Sequence, residues 1–272
     1  MMEKTEGTHV QAVKACCADL YSHEAIRLLL GETLHPGGLA LTGRLAELLR
    51  LGSADHVLDV AAGFGTSALF LARTVGCRVE GLDLSHPNLA YAGRSVKEAG
   101  LNGTVHFSAG DADALPYGDG VFDAVLSECA FCTFPDKGRT AREFFRVLAP
   151  GGRLGLADVT LKPESLPDDL RGVLMQAACL SDAQTTEEYQ SLLAAAGFDR
   201  FSKEEHPEAV SALLEQIRAR LLFARLASLS GQHCFTGVDL EAVEAVVTRA
   251  EELVRDGVIG YVLLVGERSD GI

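Results

Sequence analysis

Apolar stretches of strand length alternate with helical stretches between about residues 40 and 200. The β-branched run HVLDVA, His56–Ala61, predicts a buried strand, and Thr66–Thr74 predicts the helix that follows it. The same order recurs at Arg78–Asp83 and Pro87–Ala99, with Gly100 as the helix stop. Further strands are predicted at Thr104–Ser108, Phe122–Ser127 and Arg153–Val159, and a further helix at Thr140–Leu148. A repeated strand and helix order is typical of right-handed βαβ units around a parallel sheet.

The second half of the chain is mostly helical. Thr186–Ala196 predicts an amphipathic helix that begins at a threonine cap and ends at Gly197. The remaining predicted elements are a strand at Phe198–Glu205, long helices at Pro207–Ser228 and Val238–Asp256, and a last strand at Val258–Gly266. We expect four parts: an N-terminal helical segment (1–50), a core (51–205), a helical insertion forming a cap or oligomer surface (206–257) and the final strand of the core sheet (258–272).

Charge and composition narrow the function. The 272 residues include 24 basic and 38 acidic side chains, a net charge of −14, and no more than two basic residues are adjacent. Binding to a nucleic acid backbone relies on clustered lysine and arginine, so nucleic acid is not expected as a partner. No uncharged apolar run approaches the roughly 20 residues that span a bilayer, and no signal peptide is evident. We expect a cytoplasmic protein without membrane contact, a location that the odd count of seven cysteines also favours.

The segment VLDVAAGFGTSALFLA is the most informative one for chemistry. A strand ends at Asp59, the chain turns through Gly63 and Gly65, and a helix follows, so a ligand can approach the backbone closely. A dinucleotide-binding turn would have a third glycine at position 68, where this chain has alanine. The carboxylate of Asp59 would repel a pyrophosphate but accept hydrogen bonds from a cationic ligand.

Two more acidic residues follow the next predicted strands. Asp83 ends the second strand, where a carboxylate can accept both ribose hydroxyls of a nucleoside. Asp111, with Asp113 as the alternative, follows the third strand and can accept from an adenine amino group. Three acidic strand ends in this order indicate an adenosine that carries a positive charge, which describes S-adenosylmethionine (SAM).

The segments VLDVAAGFGTS, VEGLDLS, GDADALPYGDGVFDAVLS and FRVLAPGGRLGLADV together resemble the class I SAM-dependent methyltransferases over about residues 50–160. The resemblance implies a Rossmann-like α/β sheet with N-terminal helices and an inserted C-terminal helical cap, and SAM as cofactor. The family usually has glycine where this chain has Ala61, which makes the turn less permissive. Tyr21 is expected to close over the methionine end of SAM, or else to pack in the core. The predicted cofactor site otherwise comprises Asp59, Ala61, Gly63, Gly65, Asp83, Leu84, Asp111, Ala112 and Glu128.

Two cysteine segments suggest the methyl acceptor. SECAFCTFPDK, with Cys129, and AACLSDAQTTEEYQSLLAAAGF, with Cys179, resemble segments of the arsenite methyltransferases, with Asp136 and Lys137 in register. Glu128 and Cys132 replace two asparagines of that family, and Asp182 replaces a glycine. The resemblance implies that Cys129 and Cys179 hold trivalent arsenic, with Cys16 and Cys17 as further ligands or relay thiols, and with glutathione or thioredoxin as a thiol reductant.

The proposed arsenic chemistry needs soft ligands and no base. Thiolates suit trivalent arsenic, and its lone pair attacks the sulfonium methyl without a proton to remove. Acceptors with a hydroxyl or amine usually need a general base. The candidates are His35 and His233, which lie outside the nucleotide motifs, where the alternative is a structural role.

Other readings of the same residues remain open. Cys77 is expected to be a core residue, Cys129 and Cys179 can equally be packing residues, and Cys132 and Cys234 have no assigned role. The alternative functions are a carbon or oxygen methyltransferase for a quinone-like or other metabolite, or a non-catalytic protein that binds SAM or senses metalloids through its thiols. We do not expect a structural metal, since a zinc site would need a second cysteine pair at suitable spacing.

Overall fold

The computed structural model describes residues 31, 33–166, 182–229 and 240–269. Its helices are α1 (Gly38–Leu48), α2 (Thr66–Thr74), α3 (His86–Ala99), α4 (Lys137–Val147), α5 (Thr186–Ala196), α6 (Pro207–Leu229) and α7 (Leu240–Arg255). Its strands are β1 (His56–Val60), β2 (Arg78–Asp83), β3 (Val105–Ala109), β4 (Phe122–Glu128), β5 (Leu148–Leu161), β6 (Asp199–Glu205) and β7 (Ile259–Glu267).

Within the described ranges these strands form one seven-stranded sheet in the order β3-β2-β1-β4-β5-β7-β6. Strands β1 to β5 are parallel to one another, whereas β7 runs antiparallel to both β5 and β6. The chain progresses from β1 to β3 on one side of β1 and continues with β4 on the other. Ligands of such sheets bind where this reversal opens a crevice at the carboxyl ends of the strands. The Rossmann-like prediction is confirmed.

Glycines end α3 and α5 as predicted, and each helix begins at a polar capping side chain, of which only the threonine cap of α5 was predicted. The side chain of Ser85 caps α3 by accepting from the backbone N–H of Asn88, and Gly100 ends that helix in the left-handed conformation. Thr185 and Glu188 form a capping box at the start of α5, and Gly197 ends it.

Strand β5 begins earlier than its pattern predicts. The sequence predicts a strand from Arg153 after a turn at residues 150–152, but β5 already begins at Leu148. Leu148 pairs with Phe122 of β4, and the regular register resumes from Ala124 and Arg153, so a β-bulge accommodates the turn residues.

The helices α6 and α7 pack against each other and against β7. They lie between β6 and β7 in sequence, as the alternating pattern predicts. None of the helices in the described ranges is long and apolar enough to cross a membrane.

The ring of Phe107 on β3 packs against Gly81 of β2 and against Gly65 in the turn between β1 and α2. A Cβ atom at its register partner Gly81 would lie 2.2 Å from the ring, and one at Gly65, where φ is +75°, would lie 2.4 Å from it. Glycine at these two positions therefore lets β2, β3 and the turn after β1 approach closely.

We expect Gly81→Ala to lower the free energy of unfolding by about 1–3 kcal/mol, because the added methyl displaces the Phe107 ring. The matched control is Gly93→Ala in α3, where a Cβ meets nothing within 4 Å. The control should raise stability by about 0.5–1 kcal/mol, since alanine is the better helix former. Urea unfolding of both variants measures the difference, and equal midpoints would contradict this packing account.

Candidate functional site

A cavity lies at the carboxyl ends of β1 to β4, where the chain reverses direction across the sheet. Its wall includes one carboxylate from the end of each of these strands or the loop after it. In the order of the strands across the sheet, these residues are Asp111, Asp83, Asp59 and Glu128, here called the acidic row. Ala61, Gly63, Leu84, Ala112 and Cys129 also line the cavity, so most of the residues predicted for the cofactor site are brought together. Gly65 is absent from this wall and adjoins it as the N-cap of α2.

The turn between β1 and α2 forms one wall of the cavity. Its residues Ala61, Gly63 and Gly65 all have positive φ, at 62°, 53° and 75°. A positive φ costs an L-residue such as alanine roughly 1–2 kcal/mol, so the backbone at Ala61 is strained where a glycine would not be. The turn is pinned by a hydrogen bond from Ala62 N to Leu82 O, 3.0 Å long.

Asp83 faces this turn and has its carboxylate fixed by backbone donors. Oδ2 accepts from Gly63 N at 2.8 Å, and Oδ1 accepts from Ser85 N at 2.7 Å. Burial nevertheless raises the pKa of Asp83, and these hydrogen bonds oppose that effect. The side chain is therefore oriented before any ligand arrives.

Asp59 is the least compensated member of the acidic row. It is buried, and its Oδ2 has no hydrogen-bond partner. Burial raises the pKa of Asp59 well above its ordinary value, and the negative charges of Glu128 and Asp83 raise it further. A buried carboxyl group in this position is stabilised by gaining a cation or a hydrogen-bond donor.

The structure separates the roles of Asp111 and Asp113. Asp113 Oδ1 bonds to the hydroxyl of Thr140, and its backbone carbonyl accepts from Arg139 Nε at 2.8 Å. These contacts tie Asp113 to α4, and it is not part of the cavity wall, whereas Asp111 is. Asp111 is therefore the member of this pair that lines the cavity.

Glu128 ends β4 among side chains that are distant in sequence. Its carboxylate accepts from Thr42 Oγ1 at 2.9 Å and from Ser67 Oγ at 2.5 Å, and His35 Nε2 lies 3.7 Å from Oε2. His35 is a base candidate from the sequence, with a structural role as the alternative, and it lies on the cavity wall. Thr42 and Ser67 were missed, because no local pattern marks a contact across 86 or 61 residues.

The two described cysteines beside the cavity differ in accessibility. Cys129 follows Glu128 with φ at +52°, lines the cavity, and donates its backbone N–H to Ala157 O at 2.7 Å. Cys132 is buried behind it, outside the cavity wall, and its backbone N–H donates to Asp158 Oδ2 at 3.0 Å. A hydrogen bond with the Cys129 thiol and burial raise the pKa of Cys132 well above its ordinary value.

The residues that follow the cysteine pair have structural partners. Asp136 caps α4 by accepting from Arg139 N at 2.8 Å. Lys137 is buried, its Nζ donates to Phe134 O at 3.0 Å, and burial lowers its pKa. Cys77 is a core residue, as predicted, and burial raises its pKa to about 11. Tyr21, Cys16, Cys17, Cys179, His233 and Cys234 lie outside the described residues.

The wall of the cavity is acidic and otherwise largely apolar. Among the residues that the structure describes, no lysine or arginine lines it. Such a wall favours a ligand that is cationic or neutral and disfavours a phosphate.

Comparison with known proteins identifies the family of this chain. Residues 58–156 match the methyltransferase domain family. The methyltransferase GfsG of Streptomyces halstedii is 33% identical over 215 residues, covering 72% of this chain and 77% of the relative. The 27-O-demethylrifamycin SV methyltransferase of Amycolatopsis mediterranei is 30% identical over 240 residues, covering 88% and 86%.

A solved structure supports the fold over nearly the whole chain. The cyclopropane synthase MmaA2 from Mycobacterium tuberculosis superposes with a TM-score of 0.79 at 18% identity, covering 95% of this chain and 98% of that one. Together with the matched domain and the two relatives, the acidic strand ends place this chain in the class I SAM-dependent methyltransferase family.

Proposed function

We propose that this protein transfers the methyl group of SAM to a small organic molecule that is neutral or cationic. The observation that carries the proposal is the acidic row along one cavity, in which the buried Oδ2 of Asp59 lacks a partner. The relatives, which include a 27-O-demethylrifamycin SV methyltransferase, support the alternative interpretation of the sequence, a methyltransferase for a metabolite, over arsenite methylation.

The residues present fit SAM. We assign Asp111 to the adenine amino group and Asp83 to the ribose hydroxyls, and the carboxyl groups of Asp59 and Glu128 line the other end of the row. Three strand spacings separate β3 from β4, about 14 Å, which suits an extended nucleoside with an amino acid chain. The positive charges of such a ligand would compensate the charge buried at Asp59.

When bound, SAM supplies an electrophilic methyl group on a positively charged sulfur. The protein then has to orient the acceptor and exclude water, which is catalysis by proximity. Leu34 helps to close the cavity, because its Cδ1 would lie 3.7 Å from a Cβ at Gly63 on the opposite wall. Ala112 and Leu84 add apolar surface at the Asp83 and Asp111 end.

Arsenite methylation is the second candidate, and Cys129 on the cavity wall is the observation that favours it. Cys132 supplies no second ligand from the cavity wall, since it is buried and its backbone N–H donates to Asp158. Asp136 and Lys137, which match the arsenite family, contact residues of their own segment, Arg139 and Phe134. The proposed second ligand, Cys179, and the auxiliary Cys16 and Cys17 lie outside the described residues.

The assay that separates these functions uses SAM with a radioactive methyl group and four acceptors: catechol, sarcosine, menadiol, and arsenite with glutathione. We expect label in at least one organic product and none in an arsenical. The matched variant Cys129→Ser should retain the organic activity. Labelled arsenicals that disappear in Cys129→Ser would instead establish the second candidate, and SAM binding without turnover on any acceptor would favour a non-catalytic binding protein.

We further expect Asp83→Asn to weaken binding of S-adenosylhomocysteine by about 10- to 100-fold, equivalent to about 1–3 kcal/mol for the loss of charge-assisted hydrogen bonds. Isothermal titration calorimetry measures the affinity. The matched control is Asp119→Asn, whose carboxylate is exposed and pairs with Arg146 away from the cavity. Unchanged affinity in Asp83→Asn would remove Asp83 from the cofactor site.

A further inference from the structure

His35 and Glu128 form a pair at one end of the cavity. Both side chains are only 4% exposed, and His35 Nε2 lies 3.7 Å from Glu128 Oε2. This separation is too long for a hydrogen bond, and Nε2 has no other hydrogen-bond partner. A buried ring nitrogen without a partner, on the wall of a ligand cavity, is available to a ligand.

The other ring nitrogen of His35 fixes its tautomer. Nδ1 lies 3.2 Å from the carbonyl oxygen of Pro36, which can only accept, so Nδ1 carries the proton. In the neutral ring, Nε2 then presents a lone pair to the cavity. The imidazole is thus held in the form that accepts a proton through Nε2.

Glu128 is held in place as the negative partner of that ring. The hydroxyls of Thr42 and Ser67 donate to its carboxylate, the arrangement that an ionised carboxylate accepts. If Nε2 gains a proton, the resulting imidazolium lies beside this fixed negative charge, which stabilises it.

The pair lies at the end of the acidic row opposite Asp111. Glu128 ends β4, which is separated from the edge strand β3 by β1 and β2. Asp111 lies in the loop after β3. If adenosine lies over Asp111 and Asp83, as the proposed function requires, the transferable methyl group is on the side of the cavity that His35 and Cys129 line.

We propose that His35 is the general base of the reaction, positioned by Glu128, and that the acceptor is a hydroxyl or amine that loses a proton on methylation. The acceptor's oxygen or nitrogen lone pair forms the bond to the methyl carbon, and the carbon–sulfur bond breaks with its electrons going to sulfur. The proton of the acceptor passes to His35 Nε2 and from there to water. This inference rests on the proposed function and narrows its acceptor class to protic nucleophiles, excluding the arsenic lone pair.

The first test needs no acceptor. The ring nitrogens of His35 are observed by nitrogen-15 NMR at alkaline pH in the complex with S-adenosylhomocysteine. The contact between Nδ1 and the carbonyl oxygen of Pro36 predicts a proton on Nδ1 and a lone pair on Nε2. A proton on Nε2 would overturn the assignment of Nε2 as the proton acceptor.

The second test measures methyl transfer to catechol and sarcosine, the hydroxyl and amine probes. His35→Gln should lower kcat by about 100-fold or more and abolish its rise with pH, while leaving the affinity for S-adenosylhomocysteine within twofold. The matched control is His56→Gln, whose ring packs against Phe122 at the start of β1, away from the cavity, and should leave activity unchanged.

The possible failures are distinguishable. If the native protein neither binds S-adenosylhomocysteine nor transfers methyl, the proposed function fails. If it transfers methyl and His35→Gln retains kcat and its pH profile, or if only arsenite or a carbon acceptor reacts, the role of His35 as a base is wrong. Weaker binding of S-adenosylhomocysteine with an unchanged pH profile would assign His35 to cofactor binding and would also overturn the proposal.

Discussion

The burial of negative charge at the ends of four neighbouring strands is the constraint on which the rest of the site depends. Asp59 is enclosed with Asp83 and Glu128 nearby, and none of the cavity wall in the described residues is basic. Such an arrangement is unfavourable in the unliganded protein, because desolvated like charges disfavour ionisation. A bound cation offsets this cost. The same carboxyl groups that are unfavourable to bury therefore select a positively charged ligand.

The sheet order arranges this charge in a line. Because β1 pairs with β2 on one side and with β4 on the other, the chain reversal brings Glu128 next to Asp59, although 69 positions separate them in the numbering. Because Gly65 and Gly81 have no side chain, the Phe107 ring packs closely against the turn between β1 and α2. The two ends of the row then differ in chemistry: apolar residues and backbone donors surround Asp83, whereas hydroxyls and an imidazole surround Glu128.

The sequence predicts the parts of this site that follow from local pattern. The strand ends at Asp59 and Asp83, the turn glycines and the caps of α3 and α5 all carry signals within a few residues. Contacts between residues that are distant in the sequence carry no such local signal. Neither the approach of His35 and Thr42 to Glu128, nor the turning of Cys132 away from the cavity, can be predicted from neighbouring residues. The choice between Asp111 and Asp113 likewise depends on Thr140, 27 positions further along the chain.

Proton release on SAM binding tests the central claim most directly. Because burial and nearby charges raise the pKa of Asp59 above 3.8, its carboxyl group stays protonated in the unliganded protein at pH values where an ordinary aspartate is ionised. A bound cation favours the ionised form and lowers that pKa, so a proton leaves. Calorimetry at several pH values in buffers of different ionisation enthalpy should find that binding of SAM releases more protons in the native protein than in Asp59→Asn. Equal proton exchange in the two proteins, or none in either, would contradict the account.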